Sequence, residues 1–296
     1  MSRIATGKGY ELELPTSYLM MMEDAERTIS ELVANRPKAR KIWGLLKDDP
    51  ETNADWDMAN YIAVSKLNYN DHGEIHAKIV AANALKMLRL LLDNGVLTSV
   101  IKEKAGDEDD AYLIVLTAAL LHDIGNQVHR ENHNVSGVYL AIPLLNRLLP
   151  EIYKEEEIMY EIRGHILNCI YSHEFEIRDL TEEACLVGIA DGTDMTKGRG
   201  RIAFDKGNVN IHTVSALSIE KVEIAQGKDV PVQILVHMNN SAGIFQIQET
   251  LGKKIISSPL EDYVEVIAVA KPDKPLADQR IVHQLIIKGK KFRALE

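Results

Sequence analysis

The sequence is poor in cysteine, in phenylalanine and tryptophan, and in positive charge, and it has no long apolar run. Its two cysteines, Cys169 and Cys185, lack a CxxC spacing, which argues against a catalytic or metal-ligand role for them. Both lie among apolar residues and are expected to be inert core thiols. The longest apolar stretches, Ala111 to Leu121 and Val264 to Ala270, are shorter than the ~20 residues needed to cross a bilayer, so no membrane segment is expected. "MSRIATGKGYELELP" has no apolar signal-peptide core, which makes the cytoplasm the expected compartment. With 34 Lys and Arg against 44 Asp and Glu, the formal charge is -10. That balance opposes binding to nucleic acid, whose phosphates need cations. A small anionic substrate fits only if metal ions supply local positive charge.

What the chain does have is helical periodicity. At 296 residues it has length for one large or two unequal domains. Residues 16–36 and 38–48 carry apolar positions at helical spacing, and "KDDPETNAD" between them and the next helix reads as a loop. "HGEIHAKIVAANALKMLRLLLDNGV" is strongly amphipathic, with Ile75, Ile79, Leu85 and Leu88 on one side and Gly95 as a stop. "AYLIVLTAALLHD" is apolar all round and therefore central, with Asp109 or Asp110 as its expected cap. Helical patterning continues to about residue 197, where "KGRGRIAFDKGNVN" reads as a basic, glycine-rich linker. Four strands follow, "SIEKVEIAQ", "VPVQILVHM", "YVEVIAVA" and "QRIVHQLIIKG", with a helix between the second and third. The expected fold is mainly α: a helical domain over 1–200 followed by a small α+β domain of ββαββ order over 201–296, whose role the sequence leaves open. The open edge of its sheet makes a homodimer an expectation.

Chemistry concentrates where the apolar helix ends, in "LLHDIGNQVHRENH". His76, His122, Asp123, His133, His173 and Asp191 each fall on or at the end of a buried helix, where an unpartnered polar group is costly. Imidazole and carboxylate together form a ligand set for divalent ions, and an adjacent His-Asp pair can serve two neighbouring metals. "YNDHGEIHAKIV", "ALLHDIGN" and "GIADGTD" resemble, in order, the His, His-Asp and distant Asp signature of the HD-domain superfamily of metal-dependent phosphohydrolases. "NHNVSGVYLA" and "CIYSHE" are similar to the extra histidine segments of its dinuclear branch.

This resemblance implies one metal on His76, His122, Asp123 and Asp191, and a second completed by His133 and His173, with Asp123 bridging. The two divalent ions (Fe, Mn, Zn, Ni, Co or Mg) would present a hydroxide to a small phosphorylated substrate. Many relatives carry lysine three residues after the Asp of the pair, where this chain has Asn126, so a cation for phosphate is expected from elsewhere. Lys197 and Arg199, together with Arg201, are the candidates, since they follow Asp191 closely. The paired histidines and Gly-Tyr-Pro motif of the cyclic-dinucleotide-degrading branch are absent, which argues against that substrate. His72, His129 and His165 are alternative ligands; His72 is expected on the helix face of His76. The expected function is cleavage of a nucleotide-like phosphate ester or anhydride. The rival readings are a di-iron oxygenase acting on a small polar substrate and a non-catalytic nucleotide sensor.

Overall fold

The computed structural model describes residues 2–5, 11–256, 258–270, 284–288 and 291–295. A hairpin of β1 (Ser2–Ala5) and β2 (Glu11–Leu14) precedes α1 (Thr16–Leu32), α2 (Pro37–Lys47) and α3 (Pro50–Asn60). Then come α4 (Glu74–Asp93), α5 (Ser99–Lys102), α6 (Glu108–Leu121), α7 (His133–Leu148), α8 (Glu156–Ser172) and α9 (Glu182–Thr193). Two short helices, α10 (Lys197–Asp205) and α11 (Ile211–Ala216), lead to β3 (Ile219–Gln226) and β4 (Val232–Met238). The remainder is α12 (Gly243–Gln246), a π-helical turn (Ile247–Gly252), α13 (Lys253–Ile256), β5 (Val264–Ala270), β6 (Gln284–Lys288) and β7 (Lys291–Leu295).

The stretch "KDDPETNAD", expected as a loop, is instead the start of α3. Pro50 occupies the first helical position, where a missing N–H costs nothing, and the Asp49 carboxylate accepts the Thr52 N–H at 2.8 Å. The same residue types that break a helix also begin one. At α6 the cap is Asp107, in a reciprocal box with Asp110, while Asp109 reaches across to accept Lys38 N and Ala39 N at the start of α2.

As its composition requires, α6 is buried from Asp110 to Leu121 and is surrounded by α2, α4, α8 and α9. Each large aliphatic side chain enclosed in this way contributes about 1.5–3 kcal/mol. The Trp56 indole of α3 donates to the Leu120 carbonyl at 2.8 Å and fixes the end of α6 that carries the His-Asp pair.

The C-terminal strands form one sheet in the order β3-β4-β5-β6-β7, antiparallel except for the β4–β5 pair. The parallel pair follows from the helical crossover between β4 and β5. The expected ββαββ order holds, with β7 added at the edge; residues 279–283 of the expected fourth strand lie outside the described residues.

The basic, glycine-rich stretch expected as a linker is helix α10, and it runs through the expected boundary at residue 200. Its glycines serve close packing: a Cβ on Gly200 would lie 2.7 Å from Ala216 Cβ, and one on Gly198 would lie 3.3 Å from Tyr18 Cβ. The sheet side is docked on the helices through β3 against α4 and α13 against α9. Among the described residues no helix is long and apolar enough to cross a membrane.

Replacing Trp56 by Phe removes the donor to Leu120 and leaves a small void. The expected loss is about 1–3 kcal/mol of unfolding free energy in a urea titration; an unchanged midpoint would contradict this role.

Candidate metal centre

Five helices each bring a terminus or near-terminus to one buried point. His76 lies in the first turn of α4; His122 and Asp123 follow the last turn of α6; His133 begins α7; His173 follows α8; Asp191 lies near the end of α9. Between Asp123 and His133 the chain makes a 3-10 turn, Ile124–Gln127, pressed onto the start of α7. A Cβ on Gly125 would fall 1.8 Å from the His133 carbonyl oxygen and 2.5 Å from Gly137 N, so only glycine permits this approach.

The four histidines share one arrangement. Nδ1 of His122 faces the Ala119 carbonyl at 2.8 Å, that of His173 the Ile170 carbonyl at 2.7 Å, and that of His133 the Arg130 carbonyl at 3.1 Å. His76 Nδ1 faces Asp194 Oδ2 at 2.8 Å. Acceptors at Nδ1 place the proton there and turn the Nε2 lone pairs inward. The Nε2 atoms of His76 and His122 are 3.2 Å apart, and those of His133 and His173 are 2.9 Å apart. Lone pairs that close repel unless a cation lies against them.

Asp123 stands between the two pairs. Its Oδ2 is 3.4 Å from His76 Nε2 and 3.5 Å from His122 Nε2, while its Oδ1 is 3.2 Å from His133 Nε2. Asp191 Oδ1 lies 3.1 Å from His76 Nε2. Glu174 Oε1 lies 3.1 Å from His133 Nε2 and adds a third carboxylate to the second pair. His76, His122 and Asp191, and likewise His133, His173 and Glu174, form groups whose donor atoms lie within 4.8 Å of one another. The donor set therefore fits divalent ions.

Protonation follows the same logic. Burial holds the His122 imidazole below its ordinary value and the His173 imidazole well below it, which favours the neutral ligand form. Burial pushes the Asp123 carboxyl up, but His122, His72 and His133 outweigh it and hold it well below the usual range. For Asp191, Lys254 and His76 likewise overcome burial. Burial and Arg199 push His76 down, yet hydrogen bonds to Asp191 and Asp194 raise it to about 9. The surrounding carboxylates thus favour positive charge at this ring, the role a bound metal would take over.

An outer tier supports the first. Tyr18 Oη lies 3.0 Å from Asp194 Oδ2 and 3.1 Å from Asp71 Oδ2, and Asp71 Oδ2 accepts His76 N at 2.8 Å. Arg199 lines the cleft but is tied into its wall. Its guanidinium donates to the Asp71 carbonyl at 2.9 and 2.7 Å and to the Asp194 carbonyl at 3.0 Å, and it acts as a buried strut in the wall. Lys197 points to the surface and pairs with Glu220, and Arg201 pairs with Asp205. All three expected phosphate contacts are thus engaged within the protein, on a packed helix where a linker was expected.

Asn126 donates to Asp123 Oδ1 at 2.8 Å and orients that carboxylate. His72 lies in the loop before α4, not on its face, and lines the adjoining cleft with its ring 5.9 Å from that of His76. His129 is exposed and His165 half-buried; neither belongs to the clustered groups. Glu174, Arg130, Asp194 and Lys254 were not singled out by sequence pattern. Glu174 and Asp194 carry a local signal, standing next to His173 and three residues after Asp191; Lys254 carries none.

The centre opens on a cleft of about 580 Å³, with Asp191, His72, Arg130, Phe175, Lys253 and Lys254 among its walls. A helical scaffold that gathers buried histidines and aspartates beneath such a cleft defines a candidate metal centre. Residues 71–196 match the family described as HD domain, and the chain belongs to that family, whose members are generally metal-dependent hydrolases. The chain is also similar to the "Uncharacterized protein MJ1020" of Methanocaldococcus jannaschii, 46% identical over 240 residues, which is 81% of this chain and 92% of the relative. No solved structure matches it.

Protein purified without chelator is expected to carry divalent metal by elemental analysis, and stripping it should lower the thermal midpoint, because ligands that bind only the folded state stabilise it. Gly125→Ala should lower the metal content at least ~10-fold while far-UV circular dichroism stays helical. Equal metal content in the variant would show that the turn does not set the site.

Proposed function

We propose that the protein is a metal-dependent phosphohydrolase that cleaves a phosphate ester or anhydride of a small, nucleotide-like substrate. His76, His122, Asp123 and Asp191 hold one divalent ion and His133 and His173 a second, with Asp123 shared. The observation that carries this reading is Asp123 itself, whose two oxygens face opposite histidine pairs, 3.4 Å from His76 Nε2 on one side and 3.2 Å from His133 Nε2 on the other. When bound, two such ions would supply an activated water and positive charge that offsets the negative charge developing on the phosphoryl oxygens.

The chain's own residues do the positioning. The Nδ1 bonds fix each imidazole, Asn126 holds Asp123, and the buried α6 keeps the His-Asp pair rigid. A cleft of about 580 Å³ falls in the size range of small-molecule sites and has room for an organic group beyond the phosphate. Arg130, with Nη1 3.8 Å from Asp123 Oδ1, adds positive charge at the mouth, in keeping with an anionic substrate.

The test is hydrolysis of nucleotides and phosphodiesters by protein reconstituted with Mn, Fe, Zn, Co, Ni or Mg, read by chromatography as released phosphate or as the phosphomonoester formed from a diester. Activity is expected with at least one metal, and Asp123→Ala should lower it more than ~100-fold. Fully metal-loaded protein that hydrolyses none of them would sink the reading, and oxygen uptake by the iron form in its place would favour an oxygenase.

A further inference from the structure

We propose that Lys254, delivered from the C-terminal unit, is the cation that binds the substrate's phosphate. The proposal rests on the phosphohydrolase reading and extends it, because it makes the C-terminal unit part of the site.

Three cationic side chains other than the committed Arg199 line the cleft. Arg130 is engaged with Glu174 at 3.3 Å and with the His133 ring at 3.1 Å. Lys253 is half-exposed, pairs with Glu249 at 2.6 Å and lies over the Phe175 ring at 5.3 Å from its centroid. Lys254 differs from both. Its side chain is 8% exposed, and its ammonium donates to Asp191 Oδ2, the oxygen of that carboxylate turned away from the histidines.

An ammonium carries three protons. Among the described residues Asp191 is the one hydrogen-bond acceptor of Lys254, and that carboxylate is already drawn toward His76. Burying a lysine with one shared acceptor leaves donor capacity unspent, and the side chain faces the cleft. An incoming phosphate oxygen would complete its partners with a charge-assisted hydrogen bond.

The approach is built into the packing. The π-helical turn and α13 lie on α9, where a Cβ on Gly192 would sit 3.3 Å from Leu251 Cα and 3.5 Å from Lys254 Cδ. Gly192, next to Asp191, thus leaves the groove through which the lysine stem reaches the carboxylate. With Asn126 engaged on Asp123, and Lys197 and Arg199 committed elsewhere, Lys254 fills the role those positions leave vacant.

The experiment uses the full chain, metal-loaded, as wild type, Lys254→Gln and Lys254→Met, with inorganic phosphate as the probe in titration calorimetry. The variants are expected to keep the wild-type metal content by elemental analysis and to bind phosphate about 10- to 100-fold more weakly. Methionine keeps the stem packed over Gly192 should glutamine disturb it. Unchanged phosphate affinity, a wild type that binds no phosphate, or variants that lose their metal would each overturn the proposal, the last by reducing Lys254 to a brace for Asp191. Phosphate bound by the wild type and lost in both variants supports it even if no ester is cleaved, so the lysine and the hydrolase reading fail separately.

Discussion

Four imidazole nitrogens turned toward one another in a buried space are the constraint around which the helical part is arranged. A bare nitrogen pair at 2.9 or 3.2 Å is unfavourable without a cation, and burial removes the water that would otherwise relieve it. The arrangement survives because every Nδ1 is held by an acceptor, three of them carbonyls three residues back in the chain. Those carbonyls are orphans of helix ends or of the turn before α7, which is why His122 and His173 sit just past a helix terminus. The ends of α6 and α8 thus satisfy their own backbone and aim a ligand in one step.

His76 is the exception, since its Nδ1 meets a carboxylate. Asp194 brings in Tyr18 from α1, and through it Asp71, and Arg199 ties the carbonyls of both aspartates together. A distant N-terminal helix is thereby coupled to the first ligand. The glycines of α10 belong to the same device, because Gly198 lets Tyr18 lie against the helix that carries Arg199. Arg199, with three donor contacts to carbonyls, braces this network, in which Asp194 Oδ2 is shared by His76 and Tyr18 while Asp194 Oδ1 is buried without a hydrogen-bond partner.

Legibility in the sequence divides along range. The apolar helix α6, the strand order and the residues of the His-Asp pattern follow from local periodicity and from motifs whose members recur in a fixed order. What local pattern could not reach was contact across the chain. Tyr18 and Asp194 are 176 residues apart, and Asp191 and Lys254 are 63 apart, one on α9 and the other on α13. Residue type also misled where one composition serves two purposes. Pro50 and its neighbouring aspartates break one helix and cap the next, and the glycines of "KGRGR" mark close packing where flexibility was inferred.

The charge balance of the whole chain, -10, would argue against an anionic ligand if charge acted only at long range. At 0.15 M salt, exposed charges more than about 8 Å apart are largely screened, so the groups that face the cleft decide. There Arg130, Lys253 and Lys254 stand around a mouth where Asp191, Glu174 and Glu249 are each already paired with one of them, and the fourth acidic member, Asp194, with His76 and Arg199. The clustered histidines and aspartates come from α4, α6, α7, α8 and α9 or their ends, and two of these three cations from α13. On the proposed reading, holding the metal and contacting the anion would therefore be tasks of different parts of the chain, joined where Leu251 and Lys254 lie on Gly192.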